Sequence, residues 1–208
     1  MPRERFSPVG GDVIEGKRGP GVVLPDGAVL PPRGDGAPAP GDPIDSHYRL
    51  CVACGADHPS GLHLSVKASD GLGVTGTLTI GEWHQGAPGL AHGGVIATAM
   101  DEMMGMLQII LRVPAVTAHL ECDFARPVPV GSVLHIDARV TGQLGRKVFS
   151  RAQAHLRGPD GPVAVRSSAI FVQVPVEHFA TQGDPDLVSQ AARERRQGAP
   201  RWWGEVNP

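Results

Sequence analysis

Residues 95–111 read VIATAMDEMMGMLQIIL, with no proline, mostly helix-compatible side chains and apolar groups on every face. A helix without a polar face must be covered all round. No uninterrupted apolar run in the chain reaches the roughly 20 residues needed to span a bilayer, so the cover has to be protein. The flanking sequence therefore has to build a wall around this helix.

That wall reads as β-structure. Upstream, the runs from Leu62 to Ala68 and from Val74 to Ile80, separated by a Ser-Asp-Gly turn, have the pattern of a hairpin. Downstream the period returns to two. Ala118, Leu120, Cys122 and Phe124 alternate with Thr117, His119, Glu121 and Asp123, and Leu134, Ile136, Ala138 and Val140 alternate with His135, Asp137 and Arg139. Val148–Leu156 repeats the pattern, and Val163–Val174 follows it less regularly. Short turns at Pro129–Gly131, Gly142–Gly145 and Gly158–Gly161 predict an antiparallel meander. The expected class is α+β, with about six antiparallel strands curled around one long central helix. A single sheet covers one side of a helix only, so a second protomer is expected to close the other.

Composition sets the limits of the domain. Gly and Pro make up about two in five of residues 1–45, too many to bury the apolar surface that ordering requires. Residues 1–45 are expected to be a flexible segment, 46–176 the folded domain, and 177–208 a tail with a short helix near Asp186–Gln197 and a Trp202-Trp203 pair. The 19 positive and 21 negative side chains lack the basic excess of a nucleic-acid binder. The first residues, Met-Pro-Arg-Glu-Arg-Phe, lack the apolar core of a signal peptide, and Cys51, Cys54 and Cys122 are too few for a disulfide scaffold. A cytoplasmic protein with no membrane or nucleic-acid partner is the expectation.

Two features could carry chemistry. Asp101 and Glu102 lie mid-helix among methionines, where an ionised carboxylate needs compensation. His92-Gly93-Gly94 stands at the start of the same helix, where free backbone N–H groups can stabilise a negative oxygen. Either alone has an ordinary structural explanation, an ion pair for the first and a plain cap for the second.

Together they fit a longer pattern: His84-Gln85-Gly86-x-Pro88-Gly89-x-x-His92-Gly93-Gly94-Val95-x6-Glu102, then Phe124-x-Arg126-Pro127-Val128-Pro129-x-Gly131. This resembles the hotdog-fold acyl-CoA thioesterases, specifically the phenylacetate-pathway (PaaI)-like subgroup, over about residues 48–175. The resemblance implies hydrolysis of an acyl-CoA to free acid and coenzyme A, without a cofactor. It also implies that Asp101 is the catalytic base or nucleophile, that the Gly93 amide polarises the thioester carbonyl, and that Thr117 positions the attacking water. His92 would orient the loop or the carbonyl. Some relatives carry an Asn before this loop; here His84, Gln85 and Gly86 stand in its place.

Spacing adds a constraint. Eight residues at about 1.5 Å of rise put Gly93 and Asp101 about 12 Å apart on one helix, too far to meet at one thioester carbon. Their joint use requires two chains, hence a dimer, with a dimer of dimers as a further step. Glu102, about 100° round the helix from Asp101, and Gly94 are expected near the substrate, with Arg126, Arg146 and Lys147 as candidates for the coenzyme A phosphates. The four clustered methionines would suit either an adaptable acyl tunnel or plain core packing.

Cys51-x2-Cys54-x3-His58 begins like a zinc spacing, with His63 as a conceivable fourth ligand. A similar Cys-x-x-Cys-Gly segment ending in Pro-x-Gly-Leu precedes the first strand in relatives, which implies a packed structural turn, and no metal is expected. Two other readings are a non-catalytic acyl-CoA-binding protein of the same fold and a hotdog hydratase or dehydratase, whose catalytic-histidine loop motif is missing here.

Overall fold

The structure is a computed structural model of the 208-residue chain, and residues 21–198 are described. A short strand β1 (Pro43–Ile44) leads through a turn-rich stretch to the hairpin β2 (Ser65–Ser69) and β3 (Gly73–Thr79). A 3-10 turn (Glu82–His84) and a small ribbon, β4 (Gln85–Ala87) with β5 (Leu90–Ala91), bring the chain to the helix. Four long strands follow it: β6 (Ala115–Phe124), β7 (Val133–Leu144), β8 (Lys147–Leu156) and β9 (Val163–Gln173).

The expected helix forms in two pieces, α1 (Gly93–Gly105) and α2 (Leu107–Leu111). Between them the Met106 N–H donates to the Glu102 carbonyl, next to Gly105, a residue that weakens helix interiors. Arg112, with φ of 60°, ends the second piece. Met100, Met103, Met104, Met106 and Leu107 are at most 2% exposed and pack into one core with Val74, Leu78, Leu134, Ile136 and Val148. The methionines are thus core filler, and the tunnel reading is set aside. Burial is not all round, however. Gly94, Ala97, Thr98, Asp101 and Gly105 form a stripe along α1 that the sheet leaves partly or wholly open.

Seven of the strands form one antiparallel sheet in the order β1-β2-β3-β7-β8-β9-β6, with the β4–β5 ribbon separate from it. Only β7, β8 and β9 make the expected meander, because β6 pairs with β9 at the far edge while β7 takes the place beside β3. The helix is the reason. It carries the chain from β3 across the sheet to the opposite edge, and residues 125–132 must then cross back over the helix N-terminus, where Ala91 N–H donates to Val128 O and Gly131 N–H to Ile80 O. The other edge of β6 has no strand beside it among the described residues.

The domain also begins earlier than residue 46. Residues 21–45 lie against the fold: Val29 makes a bridge with Gln143, the Gly34 N–H donates to Ile110 O, Arg33 binds the carbonyls of Ser69, Gly71 and Pro38, and Ile44 is buried. Composition misled here because backbone hydrogen bonds, the Arg33 contacts and the single buried side chain of Ile44 hold the segment, needing no apolar run. The first 20 residues lie outside the described part, as does Trp202-Trp203. The tail folds into α3 (Glu177–Gln182) and α4 (Pro185–Gly198), the second covering the expected polar helix.

Among the described residues, buried polar atoms of Gln108, Ser150 and Ser168 are without a hydrogen-bond partner, and Gln108 is the largest of these side chains. Gln108 on α2 is 5% exposed, and its side-chain amide nitrogen and oxygen have no hydrogen-bond partner among the described residues. An unsatisfied buried amide costs about 1–3 kcal/mol, so Gln108→Met is expected to raise the thermal or denaturant midpoint. A lowered midpoint would show that the amide is in fact satisfied in the folded protein.

Candidate active site

Asp101 faces the open stripe of α1. Its Oδ1 accepts a hydrogen bond of 3.0 Å from the Thr117 hydroxyl on β6. Periodicity places the two residues on different elements, and the crossover of the helix to the sheet edge is what joins them. Burial raises the pKa of Asp101, opposed by the Thr117 hydrogen bond and reinforced by the nearby Glu102 carboxylate. The result is a half-buried carboxylate that holds a proton more readily than an ordinary aspartate.

At the other end of α1, His92 is the N-cap. Its backbone is extended (φ −69°, ψ 134°) and its Nδ1 accepts the Gly94 N–H at 2.9 Å. The Gly94 amide is therefore engaged by the cap. The Gly93 N–H, by contrast, has no acceptor among the described residues. It belongs to the first turn of the helix, where the amides point outward and the dipole favours negative charge. The loop before it is tightly made. Gln85 Oε1 accepts the Gly89 N–H at 2.7 Å and Gln85 Nε2 donates to Glu82 O at 2.8 Å, while His84 Nδ1 accepts the Gly81 N–H. A side chain on Gly86 would come within 2.8 Å of the His92 Cα, so glycine is required for the two strands of the ribbon to close. His84 through Nδ1, Gln85 through its side-chain amide, and Gly86 through its lack of a side chain all shape the loop.

The remaining candidates disperse. The guanidinium of Arg126, just past the end of β6, donates to the Val163 carbonyl. Arg146 donates to Gln173 O at 3.4 Å, and with Lys147 it sits at the β7–β8 turn, beside the start of β6. Nearly the whole length of β6, ten residues at about 3.3 Å each, separates the two ends. Arg126 and Arg146 of one chain cannot hold the same phosphate group.

Glu102 turns away from Asp101, into the turn before β2. Its Oε1 lies 3.1 Å from His47 Nδ1 and its Oε2 3.7 Å from Cys51 Sγ, while His47 Nδ1 is 3.2 Å from Cys54 Sγ. Glu102 is thus part of a four-residue cluster with His47, Cys51 and Cys54. Sequence spacing had assigned His58 and His63 to the cysteines. In the fold His58 Nδ1 instead accepts the Ser60 N–H, and the partners are His47, four residues before Cys51, and Glu102, distant in sequence. Burial disfavours charge on His47, but hydrogen bonds to Cys51 and Glu102 outweigh it and push the pKa up to about 9. The hydrogen bond from Cys54, with that from His47, brings Cys51 down to about 3 against its burial, and Cys54 is pushed up by sharing with Cys51 and by burial.

A curled antiparallel sheet with one crossover helix, an edge strand following that helix, and a carboxylate facing the helix's open side define a hotdog domain. Residues 88–162 match the family model of the Thioesterase superfamily. Relatives include the acyl-coenzyme A thioesterase THEM4 of Xenopus laevis, 35% identical over 94 residues, and that of Bos taurus, 41% identical over 102 residues. These alignments cover 45% and 49% of this chain and 42% and 41% of the relatives, so the match spans about two-fifths of their length. Among solved structures, the thioesterase superfamily protein RHA08564 superposes with a TM-score of 0.56 at 26% identity, covering 66% of this chain and 70% of that one. The PaaI protein of E. coli superposes with a TM-score of 0.51 at 17% identity, covering 55% and 81%, a likeness of fold.

Proposed function

We propose that the chain hydrolyses an acyl-CoA thioester to the free acid and coenzyme A in a site built from two protomers. The observation that carries this is the Asp101–Thr117 pair on the open side of α1, in a domain whose relatives include acyl-coenzyme A thioesterases. Asp101 takes a proton from a water molecule whose oxygen attacks the thioester carbon. The C–S bond then breaks, and the proton passes to the departing coenzyme A thiolate. Burial, by raising the proton affinity of Asp101, suits it to that exchange.

The second half of the site follows from the free edge of β6. Thr117 marks the position of Asp101 on this strand, and Phe124 marks that of Gly93, since a Cβ on Gly93 would lie 3.6 Å from the Phe124 ring. Two β6 edges joined antiparallel about a two-fold axis midway between these positions set Thr117 opposite Phe124 of the other copy. The partner's Gly93 amide then lies across from Asp101, where it can hold the oxyanion. The same pairing closes an edge that would otherwise expose a row of unpaired backbone groups, and it covers the open stripe of α1.

A panel of acyl-CoAs of different chain length and aromaticity, assayed with a thiol reagent, tests the activity. Saturable release of coenzyme A is expected from at least one member. Tight binding without release would favour the acyl-CoA-binding reading.

A further inference from the structure

We propose that His47, Cys51, Cys54 and Glu102 form a structural zinc site that clamps the turn before β2 to the central helix, one residue from Asp101. The ligand atoms of the four residues all lie within 4.8 Å of one another. A tetrahedral zinc with bonds of about 2.0–2.3 Å sets its ligands about 3.3–3.8 Å apart. The three contacts around the cluster, 3.1, 3.2 and 3.7 Å, match that spacing with small side-chain adjustments.

The choice of groups points the same way. Two cysteine sulfurs, an imidazole and a carboxylate converging on one point make a good set of ligands for a borderline-soft metal ion. Two thiolates and an imidazole select zinc over magnesium or calcium, and four protein ligands leave no open position, which is the arrangement of a structural and not a hydrolytic metal.

The surroundings hold the ligands in place. The Ser46 hydroxyl lies 3.3 Å from Cys54 Sγ, and the Ala53 N–H donates to Cys51 Sγ at 3.4 Å. The turn is pinned by Gly55 N–H to Cys51 O at 2.8 Å, Leu62 N–H to Val52 O at 2.8 Å and Leu64 N–H to Ala53 O at 3.0 Å. A Cβ on Gly55 would come within 2.5 Å of Cys51 and Arg49 backbone atoms, so the turn admits no side chain there. Cys54 is 7% exposed and the Glu102 side chain 13%, while the His47 side chain, 37% exposed, forms the solvent-facing side of the cluster. The clamp joins segments about fifty residues apart in sequence.

Metal content decides the matter without any substrate. The untagged full chain is purified in a phosphine reductant, loaded with zinc, dialysed against metal-free buffer, and measured by elemental analysis and native mass spectrometry. One retained zinc per chain is expected. Cys54→Ser and His47→Ala should each weaken retention at least about tenfold, whereas His58→Ala and His63→Ala should leave it unchanged. Should the ligand variants fail to fold, cobalt loading of the unaltered chain gives an independent reading: thiolate-to-cobalt charge-transfer bands with strong visible absorption from a tetrahedral centre. Loss of all zinc on dialysis, a weak octahedral cobalt spectrum, or a Cys51–Cys54 disulfide in place of the metal would each overturn the proposal. So would retention that depends on His58 or His63 and not on His47.

Discussion

Asp101→Asn is expected to lower kcat for acyl-CoA hydrolysis by about 10²- to 10⁴-fold, the range that a positioned general base supplies. Asparagine keeps the size of the side chain and leaves an oxygen to accept the Thr117 hydroxyl, so the 3.0 Å contact can persist and the helix should pack as before. What disappears is the capacity to take a proton from water. KM should therefore move little while kcat collapses, the pattern of an interaction made only in the transition state. Steady-state rates on the best substrate of the panel, with circular dichroism to confirm the fold, provide the measurement. Less than a tenfold loss with the fold intact would remove Asp101 from the reaction.

The second large effect tests the sharing of the site. Gly93→Pro removes the one first-turn N–H proposed to hold the oxyanion. It does so with little cost to the helix, because Gly93 is the first helical residue, where proline is well tolerated. His92, with ψ of 134°, already has the extended backbone that a residue before proline needs. A Cβ at this position meets the Phe124 ring at ordinary contact distance. Loss of one oxyanion donor predicts a fall of about 10²- to 10³-fold in kcat. When Gly93→Pro and Asp101→Asn chains are unfolded together and refolded, each mixed dimer contains one doubly defective site and one unaltered site. Activity per mixed dimer should return to about half that of the wild type under two-fold symmetry. If both residues served the same site from one chain, the mixture would stay as inactive as its components.

The chemistry of the helix was readable from its residues only in part. Asp101 and the amides of the helix start stand out because a carboxylate in an apolar helix and a His-Gly-Gly entry are chemically conspicuous. That Glu102 serves a different cluster was not readable. A rotation of about 100° separates it from Asp101, and nothing in the local pattern says which neighbour that face meets. His47 shows the same limit. Spacing rules look for ligands that follow the cysteines closely, and His58 and His63 satisfied that rule, but the turn folds back and presents the histidine that precedes them. Gln85, polar and placed beside the proposed site, uses its side-chain amide to close its own loop, and His84 uses its Nδ1, contacts that no local period announces.

The alternation of apolar residues was enough, by itself, to determine the long strands, and the apolar run at 95–111 to determine a central helix that needs covering, because both periods are local properties of the chain. The flanking turns limited where each element could end. Tertiary structure alone decided that β6 lies beside β9 with its other edge free, and that residues 21–45 pack on the domain. It also decided that Asp101 meets Thr117 while Glu102 meets His47 and the cysteines. Those are pairings between distant segments, set by where the crossover helix delivers the chain, and no period of two or of 3.6 encodes them.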